Sequence, residues 1–204
     1  MRVSAIMVAI VGLLTASPAL AQAWFLYESE EDNFTVNFPS DPVIDATTYR
    51  LPSGQEASAR VYTVKDDAGT YKVTVVDYEG ISAEETASSI EDAANKFRER
   101  GGEVTLDEFG YFEGADSQIM QISNPDGTRS YVVIAHLPPA SGLIKLYILE
   151  GISPPGSVVA GVFQQSLGWV DSYGTRIRYQ RDVEGNRYCV IPDAGGAPLR
   201  NRLP

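Results

Sequence analysis

The sequence predicts an α+β fold: a mainly antiparallel sheet with two main helices and a C-terminal β-hairpin extension. Three observations carry this expectation. Most apolar segments are of strand length and are separated by turn residues, so neighbouring strands connect as hairpins. Only two segments change to helical spacing. After Val170 the composition shifts to arginines alternating with apolar residues.

Residues 1–23 read as a signal peptide. Met1-Arg2 starts the chain positive, Ala5 to Leu14 is apolar throughout, and Ala19-Leu20-Ala21 suits cleavage after Ala21, with Ala23 as a second site. That apolar run is half of the about 20 residues a membrane span requires. No arginine pair stands in the leader and no cysteine follows the cut. The expectation is a bacterial protein exported by a Sec-type route, periplasmic or secreted, with no lipid anchor and no membrane span.

Residues 24–171 form the predicted single domain. Phe34-Thr-Val-Asn-Phe38 alternates and stops at Pro39, as a strand with one wet side does. Val43 to Leu51 and Ala57 to Val64 follow as strands joined at Pro52-Ser-Gly54. Tyr71 to Tyr78 is apolar on both faces and so central. Ser82 and Glu85 make a capping box. Ala87, Ile90, Ala94 and Phe97 then form one stripe, and Gly101-Gly102 stops the helix, predicted at 83–100.

Strands are expected at Glu103 to Glu108, Gly110 to Glu113, Ser117 to Ser123 and Ser130 to Leu137, the last two joined by the turn Asn124-Pro-Asp-Gly127. Leu143 to Glu150 is again apolar on both faces. Ser153-Pro154-Pro155 opens the second helix, with Val158, Val159, Val162, Phe163 and Leu167 as its buried stripe and Trp169 inside it. Residues 172–204 hold an arginine-rich hairpin, Arg176 to Ile191, and a loose tail from Asp193 to Pro204.

Charge is unevenly spread. Residues 24–171 carry 24 Asp/Glu against 9 Lys/Arg, a net of −15, whereas residues 172–204 carry six Arg against three acids, a net of +3. An acidic body repels phosphate backbones, which excludes nucleic acid as the expected partner. Cys189 is the only cysteine and closes no internal disulfide; it is either a small buried residue or a site of pairing between chains.

Motifs that carry chemistry are few in the sequence. His136 is the only histidine, and no G-x-S-x-G elbow accompanies it. A Cys189–His136 dyad would join residues on separate elements. One His and one Cys do not make a zinc site. Asp66-Asp67-Ala-Gly69 and Asn124-Pro-Asp126-Gly127 lack the oxygen spacing of a calcium loop and read as turns. The acidic run from Glu28 to Asp32 reads as a solvated segment. No catalytic residue, metal ligand or cofactor is expected. Arg176, Arg178, Arg181 and Arg187, with Tyr179 and Tyr188 between them, are the candidate grip for an acidic partner or anionic ligand. The simpler reading has this hairpin folding back onto the acidic body.

The element order, F-T-V-N-F-P at 34–39, and the stretch from Gly114 to Glu150 with Ile144-Lys-Leu-Tyr147 resemble the PsbP-like group of small exported proteins. The resemblance covers about residues 24–170 and rests on pattern. It implies a central, mainly antiparallel sheet flanked by the two main helices on both faces, an α/β/α sandwich, and an accessory or binding role, and it carries over no functional residue. The function expected is an exported non-catalytic accessory or binding protein for an unidentified envelope protein or anionic ligand. Two alternatives stand beside it: a small hydrolase using a carboxylate pair or His136, and a carrier of a small apolar ligand.

Overall fold

The computed structural model describes residues 24–136, 144–171, 173–184, 187–190 and 198–202. The signal-peptide reading at 1–23 lies outside the described residues. The strands, in chain order, begin with β1 (Phe25–Ser29), β2 (Phe34–Phe38), β3 (Val43–Arg50), β4 (Glu56–Asp66) and β5 (Gly69–Asp77). Helix α1 (Ala83–Arg98) precedes β6 (Glu103–Phe112), β7 (Ala115–Ser123), β8 (Arg129–His136) and β9 (Lys145–Ser153). Helix α2 (Val159–Gln164) leads to β10 (Gly168–Val170), β11 (Arg176–Arg181), β12 (Arg187–Val190) and β13 (Pro198–Arg202).

These elements overturn the expected α/β/α sandwich with two main helices. Among the described residues the molecule is mostly β, built from two antiparallel sheets with two short helices. Seven strands form the larger sheet in the order β3-β4-β5-β9-β8-β7-β6. The smaller sheet runs β1-β2-β10-β11, and β12 and β13 extend it from β11.

The large sheet follows from pattern. β9 is buried on both faces and β5 on one, with Val76 buried and Lys72 and Thr74 half-buried on its other, and their register (Val73 opposite Leu149, Val75 opposite Tyr147) places them side by side near the sheet's centre. One face carries Val76, Met120, Ile122, Ile134 and Leu146 against Ala93, Ala94 and Phe97 of α1. Only half of the capping box forms: the Glu85 N–H donates to Ser82 Oγ at 3.2 Å, while the Glu85 carboxylate accepts from the Ser53 N–H at 3.2 Å and so ties α1 to the β3–β4 turn. The two strands expected between residues 103 and 113 are one, β6. Its turn to β7 places Glu113 and Gly114 at positive φ, 47° and 81°, as a two-residue hairpin of that hand requires.

The other face is where the sequence reading failed. α2 has six residues, and Val158 and Val162 of its expected stripe are exposed. Val159, Gly161 and Val162 are weak helix formers, so the segment does not propagate, and Gly168 to Val170 pairs as a strand. What covers this face besides α2 is the smaller sheet. Phe34, Val36, Phe38, Trp169 and Ile177 interdigitate with Tyr62, Val73, Val133, Tyr147 and Leu149. Part of the expected loose tail, Pro198–Arg202, is β13.

Gly151 sets the approach of α2 to the large sheet. A Cβ there would meet the Ala160 carbonyl oxygen at 2.8 Å and its Cβ at 3.0 Å. Gly151→Ala is therefore expected to displace α2 and cost about 1–3 kcal/mol. A lower urea midpoint at unchanged slope would register it.

Candidate functional site

The densest polar constellation is one that composition hides. Asp32 lies in the β1–β2 turn and is fully buried. Its neighbour Asn33 takes a left-handed φ of 58°, a conformation Asn tolerates, and the turn thereby dips onto the large sheet. Arg60 of β4 grips the carboxylate in a fork, Nε to Oδ2 at 2.6 Å and a terminal nitrogen to Oδ1 at 2.5 Å. Lys145 of β9 donates to Oδ1 at 2.8 Å and to the Glu31 carbonyl at 2.7 Å. The Tyr62 hydroxyl donates to Oδ2 at 2.7 Å, and the Tyr147 hydroxyl to the Asp32 carbonyl at 2.7 Å.

Burial alone would raise the Asp32 carboxyl. The hydrogen bonds from Arg60, Lys145 and Tyr62 outweigh it and hold the group down at about 2. Burial also raises the Tyr62 phenol. An acid so fully engaged is a poor proton acceptor at neutral pH, and the arrangement works as a clamp that pins the β1–β2 turn. A polar cavity of about 280 Å³ adjoins it, lined by Thr47, Ser58, Arg60, Asp77 and Lys145 among others.

A second buried acid, Glu150, is met by Lys72 at 3.0 Å and by Arg100 at 2.5 Å, which holds the chain just beyond α1 against the sheet. The acidic run read as solvated from Glu28 to Asp32 thus ends in the most buried carboxylate of the body. The reason is tertiary: its counter-charges stand 28 and 113 residues away.

The arginine candidates divide. Arg176 and Arg178 are exposed on β11, and Ile177 between them is buried. Arg178 forms its own fork on Glu113, at 2.5 and 3.0 Å, so part of the basic face meets the acidic body directly. Arg181 and Arg187 stand opposite one another in the β11–β12 ladder, and Cys189 stands opposite Tyr179. The side chains of Arg181, Arg187 and Cys189 are outside the described residues.

His136 ends β8, with its ring 5.8 Å from that of Tyr78 on the α1 side. Cys189 is on β12, in the other sheet, so the structure does not bring the two onto one element. Among the described residues there is no group of three His, Cys, Asp or Glu placed to hold a metal ion. No helix among them is long and apolar enough to cross a membrane. Compared with protein-family models the chain matches none, and no curated protein matches it either.

Proposed function

We propose that this chain is an exported, non-catalytic accessory protein that captures an extended segment of an envelope partner along β3. The observation that carries the reading is the state of that strand. It is eight residues long, pairs without interruption to β4, and leaves nearly every side chain exposed. Its other edge carries no strand among the described residues. In an antiparallel edge strand, alternate residues aim both N–H and C=O outward, which is a template for an added strand.

The opposite edge, β6, is blunted by contrast. It bears Glu103, Asp107 and Glu108 and is bulged between Val104 and Leu106. β3 has no bulge and adds exposed Val43 and Ile44, which supply side-chain contacts. The leader supports export, and the PsbP-like resemblance supports an accessory role. The arginine face of β11 is a second surface in this proposal, suited to an acidic partner, with Arg178 already shared with Glu113.

Proline scanning tests the reading. Of two successive residues, Ala46 and Thr47, one aims its N–H away from β4. Proline at that position is expected to leave the melting temperature within a few degrees and to abolish retention of the native partner from envelope extract. Full retention by both proline variants would end the strand-addition idea.

A further inference from the structure

A second cleft, of about 350 Å³, lies between the β7–β8 turn and the loop from β9 to α2. Its floor is the α2 side of the large sheet. Arg129 stands opposite Ser123 on β7 and Ser153 on β9, and Tyr131 follows on the same face of β8. Ser157 and Val158 supply the loop wall. No carboxylate lines this cleft, although the body around it has a net charge of −15. Glu103, the acid opposite Ser123 on β6, is outside the lining, and Asp126 in the turn already accepts from Thr128 N and Oγ1 at 3.0 and 2.7 Å.

The lining is rich in donors that nothing among the described residues satisfies. Arg129 has no acidic partner among the described residues, and neither the Ser123 hydroxyl nor the Tyr131 phenol has an acceptor among them. Ser157 Oγ accepts from the Val159 N–H at 3.4 Å, which leaves its proton free to donate. A guanidinium and three hydroxyls without acceptors suit a ligand that brings anionic oxygens. Beside them Val158 is 68% exposed, and Val162, one helical turn on, is 58% exposed. Uncovered valines at a cleft mouth suit an apolar body on the same ligand. The volume is at the small end of the range for ligand pockets.

We propose that this cleft binds a small organic acid, with Arg129 taking the carboxylate and Val158 covering the apolar chain. The site is remote from the outer edge of β3 and does not depend on strand capture.

Amide chemical-shift titration of the purified, ¹⁵N-labelled chain tests it with three probes: hexanoate, hexanol and inorganic phosphate. Hexanoate is expected to shift the Gly127–Arg129 and Gly156–Val158 amides saturably, with a Kd of about 1 mM or tighter. Hexanol, which lacks the charge, and phosphate, which lacks the chain, are expected to bind at least about tenfold more weakly. Arg129→Gln and Val158→Asp should each weaken hexanoate about tenfold or more while leaving signals elsewhere in place, since both residues are exposed. Absence of a saturable shift, or hexanoate binding unchanged in Arg129→Gln, would overturn the site. Phosphate binding as tightly as hexanoate would overturn the organic-acid assignment.

Discussion

Asp32→Ala is expected to lower the unfolding free energy by about 3–5 kcal/mol, the cost of breaking a buried ion pair from one side. The substitution removes the carboxylate and leaves Arg60, Lys145 and the Tyr62 hydroxyl without their shared acceptor. Lys145 matters most, because its side chain is 10% exposed and its other partner among the described residues is the neutral Glu31 carbonyl. Most of the loss therefore comes from an ammonium stranded beside the core. Adding Lys145→Met should then recover part of it, since the second substitution removes the stranded charge. Urea unfolding of the two single variants and the double reads this directly. A loss below about 1 kcal/mol in Asp32→Ala, or simple additivity in the double, would show that the clamp is not held by charge.

Acid titration gives the same clamp a second signature. The folded Asp32 carboxyl titrates at about 2, below its ordinary 3.8. A carboxyl depressed by folding stabilises fully above its unfolded value, and the stabilisation is lost as pH falls through the folded one. The stability difference between wild type and Asp32→Asn should therefore stay flat from pH 7 to about 5. Below that it should shrink by about 2 kcal/mol as pH approaches 2. A difference that holds constant to pH 2 would mean that the ionised form is not what stabilises the turn.

The clamp also shows where reading the sequence stops. The strands of the large sheet are legible because each carries its own signal: alternation, a two-faced apolar run, or a turn with a fixed residue preference. Helix α1 is legible for the same reason, since Ser82, its stripe and Gly101 lie within one short window. The smaller sheet is not local. β2 pairs with β10, and only that long-range pairing makes Gly168-Trp-Val170 a strand rather than the end of a helix. Asp32 was hidden likewise, its apparent neighbours being Glu28, Glu30 and Glu31. One signal did point to it. Lys145 interrupts a segment apolar on both faces, and a lysine inside a central strand requires a buried counter-charge. Glu150 at the far end of β9 poses the mirror question, answered by Lys72 and Arg100.

Trp169→Ala is expected to cost about 3–5 kcal/mol, and Trp169→Phe only about 1–2. Trp169 is fully buried, stands opposite Phe34 in β2 and Ile177 in β11, and meets the Tyr147 ring edge-on at 4.9 Å. It thereby joins both neighbours of β10 to the centre of the large sheet. Alanine leaves a cavity bounded by rigid strands that cannot collapse into it. Phenylalanine keeps the ring contact, and it also removes an indole N–H that is buried without an acceptor among the described residues. An unsatisfied buried donor costs about 1–3 kcal/mol, so its removal offsets part of the area lost. Hydrogen exchange separates local from global effects: in Trp169→Ala, amides of β11 should lose protection before those of β5 and β9, because β10 pairs only two residues with β11. If phenylalanine proves as costly as alanine, the indole N–H has a partner and the offset argument fails. If alanine costs under about 1 kcal/mol, the two sheets are held together elsewhere along the Phe34–Phe38 face.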